Sequence, residues 1–244
     1  MSKGVSTLRI KVELESNKTY LKFAYKYQMQ GVIYDLLSDK FNELHDKGIY
    51  YNKKNFKPFN FSDIFTKKYE IKEDGLILSN ESWFYFSSPF KDITDEFANK
   101  LIEKGEIRIG NNLFNIKSIK MILYNLESKN LFKCLSPITV YNTAKINNKI
   151  KTIYYKPNDR EFKELVENNI KNKSRILDIN IDRLEFLPEK FSIKNEKIIN
   201  YKNTIIKGWT GIYRINANEE IKKMIMDWGI GTKNSQGFGM MEVI

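Results

Sequence analysis

The chain of 244 residues contains a single cysteine, Cys134, and a single histidine, His45. One cysteine closes no intramolecular disulfide, and one Cys with one His cannot supply a Cys/His zinc site. A carboxylate-only metal site stays formally open, and no metal or cofactor is assigned. No stretch approaches the roughly 18 uninterrupted apolar residues of a membrane span. The opening residues, Met1-Ser2-Lys3-Gly4-Val5, run into an alternating apolar and charged pattern with no apolar signal core, so a cytoplasmic, membrane-free protein is expected. Arginine is scarce as well, at six of the 41 basic residues, which argues against recognition built on bidentate base contacts and for phosphate and shape.

What the sequence does hold is a core and a charge. Hydrophobic residues make up 41% and aromatics 14%, enough for one large domain or two small ones at this length. Lys and Arg total 41 against 30 Asp and Glu, a net charge of +11 carried almost entirely by lysine. A field of that size attracts polyanions, and nucleic acid is the first partner to consider, because each neutralised phosphate releases counterions. A compositional bias of the source towards Lys, Asn and Ile would produce the same excess, so charge opens the question without closing it.

Leu8, Ile10, Val12 and Leu14 alternate with Arg9, Lys11, Glu13 and Glu15, the period-two mark of a strand with one buried face. From Gly31 the apolar positions Val32, Ile33, Leu36, Leu37, Phe41 and Leu44 fall on one side of a helix. A loop from Gly48 to Lys57 leads to strands at Phe59-Asn60-Phe61 and Trp83-Phe84-Tyr85-Phe86. Phe90, Ile93, Phe97, Leu101 and Ile102 predict a second helix closing at Gly105, followed by a strand over residues 113–123. The order β-α-β-β-α-β matches a ferredoxin-like unit. The second half repeats it: strands over Phe132 to Val140 and Lys151 to Tyr155, a helix on Phe162, Leu165, Val166 and Ile170, an alternating run begun by Leu177, Ile179 and Ile181, and one long strand from Ile205 to Ile215. A helix on Ile221, Met224, Ile225 and Trp228 follows, with Asn216 or Asn218 as N-cap and Gly229 as C-cap, before a short strand over Met241 to Val243. The expected architecture is α+β, two tandem ferredoxin-like domains spanning 1–127 and 128–244, with a boundary at Glu127-Ser128 and a glycine-rich loop near the C-terminus.

That loop, residues 229–239, is the most distinctive segment. Gly229, Gly231, Gly237 and Gly239 flank an insert whose Lys233, Asn234, Ser235 and Gln236 present donors to a closely approaching partner, as in an anion-binding loop. It fits neither the dinucleotide fingerprint nor the Walker A pattern, which disfavours nucleoside triphosphate hydrolysis.

The G-h-G-x5-G-h-G spacing of this loop after a helix resembles that of the RAMP-type CRISPR-associated endoribonucleases, the sixth Cas family, which cut precursor CRISPR RNA within each repeat. Gln30-Gly31-Val32-Ile33-Tyr34, Leu44-His45-Asp46, Lys57-Pro58-Phe59-Asn60-Phe61-Ser62 and Leu135-Ser136-Pro137-Ile138 extend the resemblance over essentially the whole chain. It implies two RAMP domains, CRISPR repeat RNA as partner, other Cas proteins as further candidates, cleavage without metal or cofactor, and a catalytic His helped by Tyr and Lys. Carried residue by residue, the matches are Tyr34, His45 and Lys57.

The chemistry can be tested against that expectation. An RNA 2′-hydroxyl attacking the adjacent phosphorus in line leaves a 2′,3′-cyclic phosphate and a 5′-hydroxyl, so the protein need only move protons and balance charge. With one imidazole, a two-histidine mechanism is excluded. His45 is assigned as general acid, Lys57 as electrostatic clamp and Tyr34 as a positioning group or base, with water a further candidate for the second proton transfer. A phenol with an ordinary pKa near ~10 is a poor base unless a nearby cation lowers it. On a straight helix Tyr34 and His45 would share a face but stand ~16 Å apart, so a break at Ser38-Asp39 is expected. Lys207, Arg214 and Lys233 are candidates for RNA-backbone contacts. Tyr25, Tyr27, Tyr50 and Tyr51 form a candidate stacking cluster, while most of Trp83 to Phe86 belongs to the core. A non-catalytic RNA-binding module of the same fold, or a general binder of anionic surfaces, would share much of this composition.

Overall fold

The computed structural model describes residues 9–44 and 46–244; Leu8 and the residues before it, together with His45, lie outside the described residues. The N-terminal strand Arg9–Glu15 buries Ile10, Val12 and Leu14 and turns Lys11, Glu13 and Glu15 to the other face, as its alternation dictates. It pairs antiparallel with Asn112–Ile122 on one side and Glu81–Ser87 on the other, Val12 lying between Ile119 and Phe84. Asn60–Phe61 and Phe65–Thr66 complete the sheet beyond Glu81–Ser87, and Glu106–Ile109 flanks the opposite edge. Helices α1 (Lys26–Phe41) and α2 (Lys91–Lys104) cover the buried face, where Phe86 stacks on Phe97 at 3.9 Å between centroids. Each such fully buried aromatic contributes about 1.5–3 kcal/mol by leaving water. The strand order, last-first-third-second, is that of a ferredoxin-like unit.

The second unit repeats it. Leu184–Lys190, Ile212–Ala217, Leu131–Cys134 and Met241–Val243 lie side by side in that order, backed by α3 (Arg160–Ile176) and α4 (Glu219–Trp228). Phe162, Phe186 and Tyr213 stack through its core, Phe186 and Tyr213 at 5.1 Å. Two hairpins, Tyr141–Ile146 with Lys149–Tyr154 and Glu196–Tyr201 with Thr204–Trp209, stand apart from the sheet. Among the described residues no helix is long and apolar enough to cross a membrane.

Several local expectations are corrected. The run Ile205 to Ile215 is two strands in different sheets: Trp209 bridges Ile138, and the chain leaves the strand at Thr210-Gly211, where Gly211 has φ +148° and a Cβ would meet the Lys190 carbonyl at 2.9 Å. The strand at Phe132 stops at Cys134, and Pro137 sits in the connection beyond it. Leu177, Ile179 and Ile181 belong to a turn after α3, with Asp178 at φ +53°, and pack their apolar side chains on the second core before the strand opens at Leu184. The loop from Gly48 to Lys57 contains a hairpin, Ile49–Tyr51 with Lys54–Phe56, turned at Asn52-Lys53 with both residues at positive φ. Helix α1 starts five residues before Gly31, at Lys26, does not break at Ser38-Asp39, and gives way after Phe41 to a 3-10 turn, Asn42–Leu44, so the straight helix does not run on to residue 45. Ser38 donates back to the Asp35 carbonyl at 2.7 Å within the helix, and the Asp39 carboxylate pairs with Lys100 of α2 at 2.7 Å, so both side chains stay helical up to Phe41.

Candidate nucleic-acid interface

Helix α1 carries a polar row at i, i+4 and i+8, namely Lys26, Gln30 and Tyr34, and this row faces the second unit. Buried Lys26 donates to the Gly237 carbonyl at 2.7 Å and pairs with Asp63; Gln30 accepts from the Tyr201 hydroxyl; Tyr34 hydrogen-bonds Ser235. Gly237 and Ser235 belong to the glycine-rich loop, so the loop is held against the first unit along one helix face. Trp228, the last residue of α4, donates its indole N–H to the Lys57 carbonyl at 2.8 Å and packs edge-on against Phe56 at 6.1 Å. These contacts deliver Lys57 to the same seam.

The loop keeps its shape through backbone angles that side chains resist. Gly229, Gly231, Gly237 and Gly239 have φ between +70° and +81°, and Lys233 shares the left-handed region at +61°. Gly237 is the tightest case against a neighbouring ring: a Cβ there would come within 2.5 Å of Phe61. At Gly239 a Cβ would run into the Ile230 carbonyl. Asn234 is a brace for the loop. Its amide donates to the Ile230 and Phe238 carbonyls at 3.0 and 2.9 Å, and its oxygen accepts from Lys173 at 2.7 Å.

Between loop, α1 and the Lys54–Phe56 strand opens a cleft of about 570 Å³, lined among others by Tyr34, Lys57, Tyr141, Lys233, Ser235 and Gln236. Burial pushes the Tyr34 phenol up; the Ser235 hydrogen bond opposes this and the charge of Asp46 adds to it. Burial pulls Lys57 down, with Asp46 acting the other way. Asp46 therefore acts on both side chains. Lys233 is also pulled down by burial, its ammonium lying 5.2 Å from the Tyr141 ring centre. With its pKa raised, the Tyr34 hydroxyl is protonated at neutral pH and able to donate a hydrogen bond.

The structure thus gathers Tyr34, Lys57, Lys233, Ser235 and Gln236 at one cleft, whose lining also includes Gly231 and Asn234. His45 lies outside the described residues. Lys207 and Arg214 are not brought to the cleft. Lys207 pairs with Glu196 at 3.4 Å on its hairpin, and Arg214, on the sheet face away from the helices, is held by Glu189 through two bonds of 2.8 and 2.9 Å. The tyrosine cluster divides too: the Tyr25 hydroxyl accepts the Ile64 amide at 2.9 Å, Tyr27 lies edge-on to Tyr201 under the Lys202 ammonium, and Tyr50 is 73% exposed on the hairpin. Trp83 and Tyr85 face away from the core that holds Phe84 and Phe86. Sequence reasoning missed Lys26 and Lys173, which occupy the core phase of their helices; a lysine in register with Met29, Ile33 and Leu37, or with Phe162, Val166 and Ile170, was the available signal.

Two ferredoxin-like units joined across a cation-lined cleft, with a glycine-rich loop bound at the seam, define a tandem-ferredoxin α+β protein. The chain belongs to the CRISPR-associated Cas6 family: residues 20–120 match the model for "CRISPR-associated protein Cas6, N-terminal" and residues 120–243 that for "CRISPR associated protein Cas6, C-terminal". It is 29% identical to "CRISPR-associated endoribonuclease Cas6 1" of Methanocaldococcus jannaschii, over 96% of this chain and 92% of the relative. Among solved structures it is similar to "CRISPR associated protein Cas6", with a TM-score of 0.80, 26% identity, and coverage of 98% of this chain and 99% of the other. It is likewise similar to "An RAMP protein binding different RNA substrates", with a TM-score of 0.83, 26% identity, and coverage of 97% and 99%.

Proposed function

We propose that the protein is an endoribonuclease that binds CRISPR repeat RNA and cuts precursor CRISPR RNA within the repeat, by 2′-hydroxyl attack without a metal. The observation that carries this reading is the meeting of Tyr34 and Lys57 at one cleft, both under the influence of Asp46, with the glycine-rich loop bonded to Tyr34 through Ser235. His45, the neighbour of Asp46 in sequence, is the general acid and delivers a proton to the leaving 5′-oxygen. The 2′-hydroxyl proton passes to water as the new P–O bond forms. Lys57 balances charge on the nonbridging oxygens, and the Tyr34 hydroxyl orients the phosphate by donation. Products are a 2′,3′-cyclic phosphate and a 5′-hydroxyl. Lys233, Gln236 and the backbone of the loop hold RNA beside the reacting linkage, with lysine following phosphates.

The test is incubation with labelled repeat RNA in EDTA, alongside the same RNA carrying a 2′-deoxy substitution at the scissile position. The ribose form is expected to be cut at one position and the deoxy form bound but intact, with His45→Ala slowing cleavage by ~10²-fold or more. Binding without cleavage would identify a non-catalytic RNA-binding module, and a requirement for divalent metal would overturn the mechanism.

A further inference from the structure

Two lysines with their side chains withdrawn from solvent converge on the glycine-rich loop from opposite units. Lys173, on α3 of the second unit, is fully buried. Its ammonium donates to the Trp228 carbonyl at 3.2 Å, the Gly229 carbonyl at 2.9 Å and the Asn234 side-chain oxygen at 2.7 Å, and lies 5.2 Å from the Trp228 ring centre. Three N–H donors meet three acceptors, all of them uncharged. Two of the acceptors are carbonyls at the C-terminal end of α4, where the helix dipole is negative and carbonyls lack helical partners. Burial drives the ammonium's pKa well down, so the acceptors work against a real desolvation cost. Lys26, on α1 of the first unit, is 2% exposed, pairs with Asp63 of its own unit, donates to the Gly237 carbonyl at 2.7 Å and lies 5.4 Å from the Phe238 ring centre.

An apolar residue of similar length would fill the Lys173 space at lower cost, so packing alone does not account for that cation. The donors of the two lysines meet both ends of the loop: Lys173 holds the entry at Gly229 and the bracing Asn234, and Lys26 holds the exit at Gly237. We infer that Lys173 and Lys26 are positioning residues that fix the glycine-rich loop in the shape that binds RNA, without touching the RNA themselves. The inference rests on the reading of the loop as an RNA contact.

The test compares Lys173→Met, Lys26→Met and Lys233→Ala, with anisotropy of labelled repeat RNA as the binding readout and amide hydrogen exchange over residues 229–239 as the structural one. Measurements are made at a temperature where circular dichroism shows each variant folded. Lys173→Met, which removes all three of the ammonium's hydrogen bonds, is expected to weaken binding by about tenfold or more, with faster exchange confined to the loop. Lys26→Met is expected to do the same with exchange centred on Gly237 and Phe238. A Lys173→Met protein that binds as tightly as the wild type, or whose exchange rises evenly across the chain, overturns the inference. If that variant does not fold, Lys173→Gln, which keeps two donors, decides by the same readouts and is expected to fall between wild type and a roughly tenfold loss. Lys233→Ala separates the two layers. If it too leaves binding unchanged, the loop is not an RNA contact and the underlying reading fails; if it weakens binding while Lys173→Met does not, the clamp alone fails.

Discussion

Replacing Gly237 by alanine tests the loop's construction with a single methyl group. The residue sits at φ +81°, where an L side chain costs about 1–2 kcal/mol, and the new Cβ would lie 2.5 to 3.1 Å from three atoms of the Phe61 ring. That ring is fully buried, so relief requires repacking, and overpacking of this kind costs about 1–3 kcal/mol. Together the destabilisation should be about 2–5 kcal/mol, and the displaced Gly237 carbonyl would also lose alignment with Lys26. Gly31→Ala is the internal control. Gly31 is exposed in the middle of α1, with no atom within 4 Å of its would-be Cβ, and alanine there should stabilise by about 0.5–1 kcal/mol. Urea unfolding of both variants, with slopes compared to confirm that the same surface is exposed, gives the two signs directly. A Gly237→Ala protein as stable as the wild type, or a Gly31→Ala protein destabilised as much as it, would refute the reasoning.

Tyr34→Phe keeps the edge-on ring contact with Phe59 at 5.4 Å but loses the Ser235 bond, so the single-turnover cleavage rate should fall by about tenfold while unfolding free energy changes by no more than about 0.5–1.5 kcal/mol. Glu13, hydrogen-bonded by Lys11, Ser118 and Lys120, has its pKa held down to about 2 from 4.5; the stability this confers is complete above about pH 4.5 and is lost as pH falls towards 2. Glu13→Gln should accordingly lower stability at pH 6 and flatten the acid limb between those values in a pH series of urea midpoints. Lys233→Ala should weaken RNA binding and reduce its salt slope by about one, whereas Arg214→Ala, which removes a cation already held by Glu189, should change neither; titrations at several salt concentrations separate them.

The fold was legible wherever one face of an element is buried and the other is wet. Ile10, Val12 and Leu14 mark their strand by alternation, and Phe162, Val166 and Ile170 mark α3 by helical spacing, because burial imposes those periods. Legibility failed where a tertiary partner decides. Ser38 and Asp39 are residues that start helices elsewhere, yet a cross-helix ion pair to Lys100 keeps them within α1. Ile205 to Ile215 shows strand propensity throughout, and only the bridge of Trp209 to Ile138, with the break in the strand at Thr210-Gly211, divides it between sheets. At the site, Tyr34, Lys57 and the glycine-rich loop could be named from their motifs. Nothing local in the sequence reveals that Arg214 pairs with Glu189 on the neighbouring strand. Lys26 and Lys173 were hidden among 35 lysines, although their helical phase distinguishes them from cations on a wet face.

The row Lys26, Gln30 and Tyr34 on α1 finds its partners on the far side of the seam, at Gly237, Tyr201 and Ser235. A polypeptide severed within the 123–130 connector would therefore yield two fragments, each lacking part of the other's scaffold. Mixing them should restore RNA capture only in proportion to the heterodimer formed, which makes this protein a natural template for a split reporter whose signal depends on complementation.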